Sequence, residues 1–390
     1  MTNAMTSTLT PPVYLDHNAT TPIDESVLAA MMPFLREQHG NASSRHELGS
    51  RARQAVDRAR EQVAAAVGAQ PAQVVFTSGG TEANNLFIKG AAAMLKPQQV
   101  VVSAIDHPCV TAPAKDLTRA GWTLRRLAVT AAGVADSADL DAALTTPTGL
   151  VSTMLVNNET GVVQPVAAIA ARARAARAWV HSDAVQALGK IPVDFGALGV
   201  HALTVSAHKL RGPKGAGALI LDKRIDLKPL LHGGGHESGM RSGTENVPAI
   251  VGFGAACDLA VAGMELGARH TARLRDLLDT RLVSLGATVF GHTVPRIPNT
   301  TYFAIDDIDG ETLVIELDRL GFCVASGSAC SSKSTEPSAT LLAMGVSAEV
   351  ARGSVRVSLG PDNDQRQIND FAQAVSAVMT RLRQLTAMAV

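Results

Sequence analysis

Cysteine is scarce in this chain, with four in 390 residues. That is too few for a disulfide scaffold and points to reduced thiols, as in a cytosol. An excess of one charge is also missing. The 35 Lys+Arg balance the 35 Asp+Glu, which excludes a strongly basic protein that coats nucleic acid. No stretch reaches about 18 uninterrupted apolar residues, so no membrane span is expected. The opening MTNAMTSTLTPP lacks the basic and apolar regions of a secretory signal and reads as a frayed terminus. These absences favour a cytoplasmic enzyme without nucleic-acid or membrane partners. Disorder is excluded as well, because 46% of the residues are hydrophobic. The length suits two or three domains, or one large α/β unit with an appendage.

Short β-branched runs alternate with Ala-rich helical stretches. Strands are expected at Val74–Thr77, Val100–Ser103, Val151–Val156, Trp179–Asp183, Leu203–Ser206 and Ala218–Leu221, with a helix over Ala167–Ala178 between two of them. Such alternation predicts a mostly parallel sheet with helices on both faces. The Gly-rich LHGGGHESGMRSG, residues 231–243, must be loop. A long helix follows, from Val247 to about Leu285. Beyond it, short strands at Thr300–Ala304 and Val355–Leu359 mix with helices at Gly310–Leu320 and Gln365–Leu385. The boundary between a large domain, 16–263, and a smaller α+β domain, 264–390 with segment 1–15, is placed inside the long helix.

Three features carry chemistry. Lys209 follows a strand in Ser206-Ala207-His208-Lys209. A lysine that points into a cleft there loses solvation and becomes suited to Schiff-base chemistry; a solvated surface lysine is the plainer alternative. Asp183 ends another strand, where it could hold a protonated pyridine nitrogen or serve as a helix cap. Thr77-Ser78-Gly79-Gly80-Thr81-Glu82 leads from a strand into a helix, and the free N–H groups of a helix start bind an anion. Ser78 or Thr81 could also be a simple cap. This loop fits neither the Rossmann nor the P-loop glycine pattern.

With these residues in view, the chain resembles a NifS/IscS-type cysteine desulfurase, of the fold-type-I, class-V aminotransferase family that depends on pyridoxal 5'-phosphate (PLP). The likeness runs from Tyr14-Leu15-Asp16-His17-Asn18-Ala19-Thr20 to Val355-Arg356-Val357-Ser358-Leu359-Gly360. Between them stand Gly40-Asn41, Thr77–Glu82, Asp106-His107, Asn157-Asn158-Glu159-Thr160-Gly161, Asp183-Ala184-Val185-Gln186, Ser206–Lys209 and His232–Thr244. The most specific motif is Ser326-Gly327-Ser328-Ala329-Cys330-Ser331-Ser332.

The resemblance implies an α/β fold with a mostly parallel seven-stranded sheet between helices, plus a smaller α+β domain. It implies that Lys209 holds PLP as a Schiff base, that Asp183 pairs with the ring nitrogen and that Gln186 bonds the phenolate side. His107 stacks on the ring as an acid–base group, and Asn158 faces the cofactor. Gly80, Thr81, Ser206 and His208 form the phosphate cup, and Ala207 is counted among the cofactor-binding residues. Thr244 reaches the phosphate of a neighbouring subunit, hence a homodimer. Arg356, with Asn158, holds the substrate carboxylate, for which a guanidinium fork is suited. Cys330 attacks the sulfur of L-cysteine and keeps it as a persulfide for a protein acceptor such as an iron–sulfur scaffold, leaving alanine.

Cys330 stands among Ser, Gly and Ala, which suit a solvent-reaching loop, and a nucleophilic thiol needs such access. Cys109, Cys257 and Cys323 read instead as small core hydrophobes or incidental surface thiols. No resident metal is expected; a transient iron–sulfur ligand role for Cys330 stays open. Three departures from the family pattern stand out. Ala42 replaces a usual Pro, Pro361 stands where Arg is common, and the tail with which IscS-type members dock a scaffold is missing after Val390. Selenocysteine lyase, another PLP aminotransferase and a non-catalytic sulfur-relay protein are the alternatives. Lys209 and Asp183 argue against the last, and Cys330 against a plain aminotransferase.

Overall fold

The computed structural model describes residues 12–327 and 336–388. The motif around Cys330 therefore lies mostly outside the described residues. The strands, in chain order, are β1 (Val13–Tyr14), β2 (Val74–Thr77), β3 (Gln99–Ser103), β4 (Thr123–Leu127), β5 (Thr148–Met154), β6 (Trp179–Asp183), β7 (Ala202–Ser206) and β8 (Gly217–Leu221). They continue with β9 (Thr288–Val289), β10 (Thr300–Ala304), β11 (Phe322–Cys323), β12 (Ala325–Ser326) and β13 (Ser354–Ser358).

A seven-stranded sheet runs in the order β2-β8-β7-β6-β5-β3-β4. Its neighbours are parallel except β8, which is antiparallel to both β2 and β7. The expected sheet is thus present. The strands are apolar on both faces because helices cover both. Alternate residues serve opposite layers: Val101 and Val151 pack into one core, Val100, Val102 and Leu150 into the other. β4 carries no apolar run because it is an edge strand with exposed Thr123, Arg125 and Arg126. The helix expected over 167–178 spans Val166–Ala175, and the last helix extends to Met388.

A second, antiparallel sheet of order β12-β13-β10-β9 lies over its own core with the final helix, Gln365–Met388. The long helix Val247–Ser284 joins the two cores. Asn246 caps it through the Ala249 N–H, with Pro248 in its first turn. Phe253, Ala256 and Cys257 pack in the large core, whereas Leu274, Leu278 and Leu282 pack in the small one. Among the described residues it is also the one helix long and apolar enough to cross a membrane, and these two cores occupy its buried face.

The N-terminal segment decides what reaches the cleft between the cores. β1 pairs in parallel with β11, and Leu15 belongs to the small core. The His17 N–H then bonds Ser358 O at 3.1 Å, and four residues later the Thr21 N–H bonds His208 O at 3.0 Å. Asn18 is carried between these anchors into the cleft.

Candidate active site

The carboxyl ends of β5, β6 and β7 open onto a cavity of about 360 Å³. Position outside the carboxyl ends of strands is where open α/β sheets place ligands. One wall is the turn after β2. Gly79 has φ +151 and ψ 179, a conformation open essentially only to glycine. Gly217 of β8 allows the close approach: a Cβ there would lie 2.7 Å from Gly79 Cα. The turn leads into the helix Gly80–Ala92, whose first N–H groups face the cavity lined by Gly80 and Thr81. Glu82 fastens the turn, accepting from the Ser78 N–H at 2.8 Å and pairing with Arg241 at 2.9 Å. Opposite, at the end of β7, the buried Ser206 hydroxyl oxygen has no protein partner.

Asp183 ends β6 with both oxygens engaged. Oδ2 accepts from Asn84 Nδ2 at 2.7 Å and Oδ1 from the Val185 N–H at 2.9 Å. The carboxylate is thereby fixed in orientation and still lines the cavity. His107 caps the helix Pro108–Asp116, its Nδ1 accepting from the Cys109 N–H at 3.2 Å. A backbone N–H only donates, so Nδ1 carries no proton and the ring's N–H is at Nε2. Burial lowers the imidazole below its ordinary range, against the opposing pull of Asp183. Cys109 Sγ sits 2.9 Å from the same Nδ1. Burial, with Asp183 adding to it, pushes this thiol up to about 12, so it remains S–H. Asp106 accepts from the Met154 and Ser103 N–H groups, tying β3 to β5 beside the site.

Lys209 enters from the short helical turn after β7. Its Nζ donates to Asn18 O at 2.5 Å and Ala19 O at 2.6 Å. Asn18 O also accepts from Gln186 Nε2 at 2.9 Å. Arg356, on β13, is 5% exposed. Its Nη1 donates to Asn158 O at 3.1 Å and its Nη2 to Asp16 Oδ1 at 2.8 Å. Its buried Nε has no protein partner. The guanidinium expected to serve a ligand is therefore partly engaged in joining the two sheets.

Of the residues expected from sequence, Gly80, Thr81, His107, Asn158, Asp183, Gln186, Ser206, His208, Lys209 and Arg356 all line this one cavity. Two others do not. Ala207 packs in the large core, because the turn after β7 points its methyl inward while its N–H bonds Ala216 O. Thr244 is exposed on the Gly-rich loop, away from this cavity. Cys330 lies outside the described residues. Cys109 packs against the core on the far side of the sheet, as a small hydrophobe would, and it also lines the cavity against His107, which its sequence neighbours did not show. Sequence reasoning also missed Asn84, whose place four residues into the helix after the glycines gave no chemical signal. It left Asn18 inside a quoted motif without a role.

This donor set suits PLP. A helix start and an unpartnered Ser206 hydroxyl can take a phosphate, a fixed carboxylate can take a ring N–H, and an amine stands across from both. Among the described residues no cluster of His, Cys, Asp or Glu could hold a metal ion.

The aminotransferase class-V family model matches residues 13–371. A cysteine desulfurase 2 from Trichormus variabilis is 42% identical over 377 residues, covering 96% of this chain and 94% of its own. Two solved structures are similar. A NifS-like protein has TM-score 0.90 at 35% identity, with 95% of this chain and 99% of that one covered. A structure described as SspA in complex with cysteine has TM-score 0.78 at 31% identity, with 90% and 99% covered.

Proposed function

The chain belongs to the class-V aminotransferase family, and from that premise we propose that it is a PLP-dependent cysteine desulfurase converting L-cysteine to L-alanine. The observation that carries the reading is the convergence of Lys209, Asp183, the Gly80 helix start and the orphan Ser206 hydroxyl on one cavity. The full-length similarity to a cysteine desulfurase supports the choice of substrate.

PLP bound here supplies an electron sink that weakens bonds at the substrate's α-carbon. The residues around it do the rest. Gly80, Thr81, Ser206 and His208 hold the phosphate, and Asp183 holds the ring nitrogen in the orientation that Asn84 and the Val185 N–H impose. Lys209 Nζ takes up and returns the α-proton. His107 presents its proton at Nε2, where it can be passed to and from the sulfur side of the substrate. Arg356 and Asn158 take the substrate carboxylate, with the unpartnered Nε as the first free donor. The Cys330 thiolate attacks the substrate sulfur: an S–S bond forms, the substrate's C–S bond breaks, and the electron pair and a proton go to the carbon side. Enzyme thiol and cysteine thus give enzyme persulfide and alanine, with atoms and electrons balanced.

The persulfide sulfur then goes to a protein acceptor, an iron–sulfur scaffold or a thiolation enzyme. We also read the chain as a homodimer. Thr244 sits on an exposed loop with Leu230 and Leu231, which are 37% and 45% exposed, as a residue serving a partner's phosphate would. The domain boundary near residue 263 is supported by the change of core along the long helix. The described cysteines are all free thiols, in keeping with a cytoplasmic protein.

The test is release of alanine and sulfide from L-cysteine in the presence of a reductant, for the wild type beside Cys330→Ser. Equal amounts, lost in the variant, are expected. Amino-group transfer or pyruvate without sulfide, unchanged in the variant, would refute the reading.

A further inference from the structure

A second lysine stands behind the cofactor site. Lys190 lies four residues after Gln186 in the turns that follow β6. Its Nζ donates to Gln186 Oε1 at 2.7 Å and to Asn18 Oδ1 at 2.9 Å. It also lines, with Lys209, a separate cavity of about 200 Å³ between the two cores. Lys190 is thus a partition between that cavity and the cofactor pocket.

These contacts decide which end of the Gln186 amide faces the pocket. An ammonium only donates, so the atom that meets Lys190 must be the amide oxygen. Nε2 then lies on the other side, where one of its hydrogens goes to Asn18 O at 2.9 Å. The second is left for the pocket that Gln186 lines. A flipped amide would set NH2 against the Lys190 donor and oxygen against the Asn18 carbonyl, so two contacts oppose the flip. The arrangement does not need a permanent charge on Lys190. Burial, with Lys209 and Arg356 nearby, pushes this amine well below its usual range; a neutral amine still donates two hydrogen bonds, and because it can also accept one, the Asn18 carbonyl, which only accepts, is then the contact that opposes the flip.

We propose that Lys190 is a positioning residue for the reaction, holding Gln186 with its amide N–H toward the cofactor while tying Gln186 to Asn18, the residue that anchors Lys209. The inference rests on the PLP reading of the site. Visible absorption on adding PLP to the wild-type apoenzyme establishes that reading separately.

The experiment compares wild type, Lys190→Met, Gln186→Ala and the double variant. It reads the absorption maximum of the PLP-loaded protein, the PLP dissociation constant by titration of the apoprotein, and the melting temperature. Lys190→Met should shift the absorption maximum and weaken PLP binding about tenfold, the worth of one hydrogen bond to a buried partner. In the Gln186→Ala background the same substitution should change PLP binding less than about twofold, because the two residues act as one unit. A wild-type spectrum and PLP affinity in Lys190→Met, even with a lowered melting temperature, would overturn the proposal. So would an effect that adds in full to that of Gln186→Ala. If Lys190→Met does not fold, Lys190→Gln takes its place. Its amide can accept as well as donate, which releases the constraint on Gln186, so the same shift is expected and a wild-type spectrum again overturns the proposal.

Discussion

Acid should weaken the strand that carries Asp183, and one residue accounts for a defined share of the loss. His181, two residues before Asp183 on β6, is fully buried. Its ring nitrogens meet Ser152 Oγ at 2.8 Å and Thr204 Oγ1 at 3.0 Å, and it stacks on Phe87 with centroids 4.9 Å apart. Hydroxyls on both sides satisfy a neutral imidazole, and burial lowers its pKa to about 3. In the unfolded chain the ring titrates near 6.5. Above that pH neither state is protonated and the residue leaves stability unchanged with pH. Below it the unfolded chain binds a proton that the folded one does not, so stability falls by about 1.36 kcal/mol per pH unit until the folded group titrates. At about pH 4.5 the gap is about two units, or ~2.7 kcal/mol, from this one residue. Urea unfolding of the wild type and His181→Gln, at about pH 7 and about pH 4.5, isolates it. Lost packing lowers the variant's stability at both values, but its loss between them should be smaller by that amount. Equal losses in the two proteins would show that His181 is not held neutral in the fold.

Three further outcomes are expected. Asn84→Ala removes the donor on Asp183 Oδ2 and should weaken PLP binding by about 1–3 kcal/mol, read by titration of the apoprotein, with a smaller effect on the melting temperature. Arg60→Ala leaves the Glu237 carboxylate, whose side chain is 2% exposed, without the guanidinium that grips it at 2.7 Å. Chemical unfolding should show a loss of about 3–5 kcal/mol, because the remaining charge is buried and unpaired. Gly79→Ala forces a Cβ into a glycine-only conformation at the turn proposed to hold the phosphate and should cost about 1–3 kcal/mol of stability together with PLP retention; unchanged retention on gel filtration would contradict that proposal.

Much of the cavity's lining was legible in sequence because it sits at strand ends. A short apolar run followed by a polar residue and small residues announces both the strand and what its end presents. Asp183, Lys209 and the turn to Gly80 were found in this way, and so was the mostly parallel sheet. The polar edge strand β4 gave no such signal, since it buries little. For Cys109 the packing against a core was legible, but its sequence neighbours do not reveal that His107 caps the same helix start and sets the thiol against the cavity.

The sequence by itself determined the order of elements and the residue types available for catalysis, because hydrophobic period and glycine placement are local properties. The tertiary structure alone decided which of those residues meet. Asn18 reaches Lys209 only because β1 is pinned to β11 in the small core and the chain must then cross the cleft. Asn84 holds Asp183 across 99 residues of chain, and Arg356 joins Asp16 across 340. Such contacts are set by packing, not by spacing, and so they are absent from any local pattern.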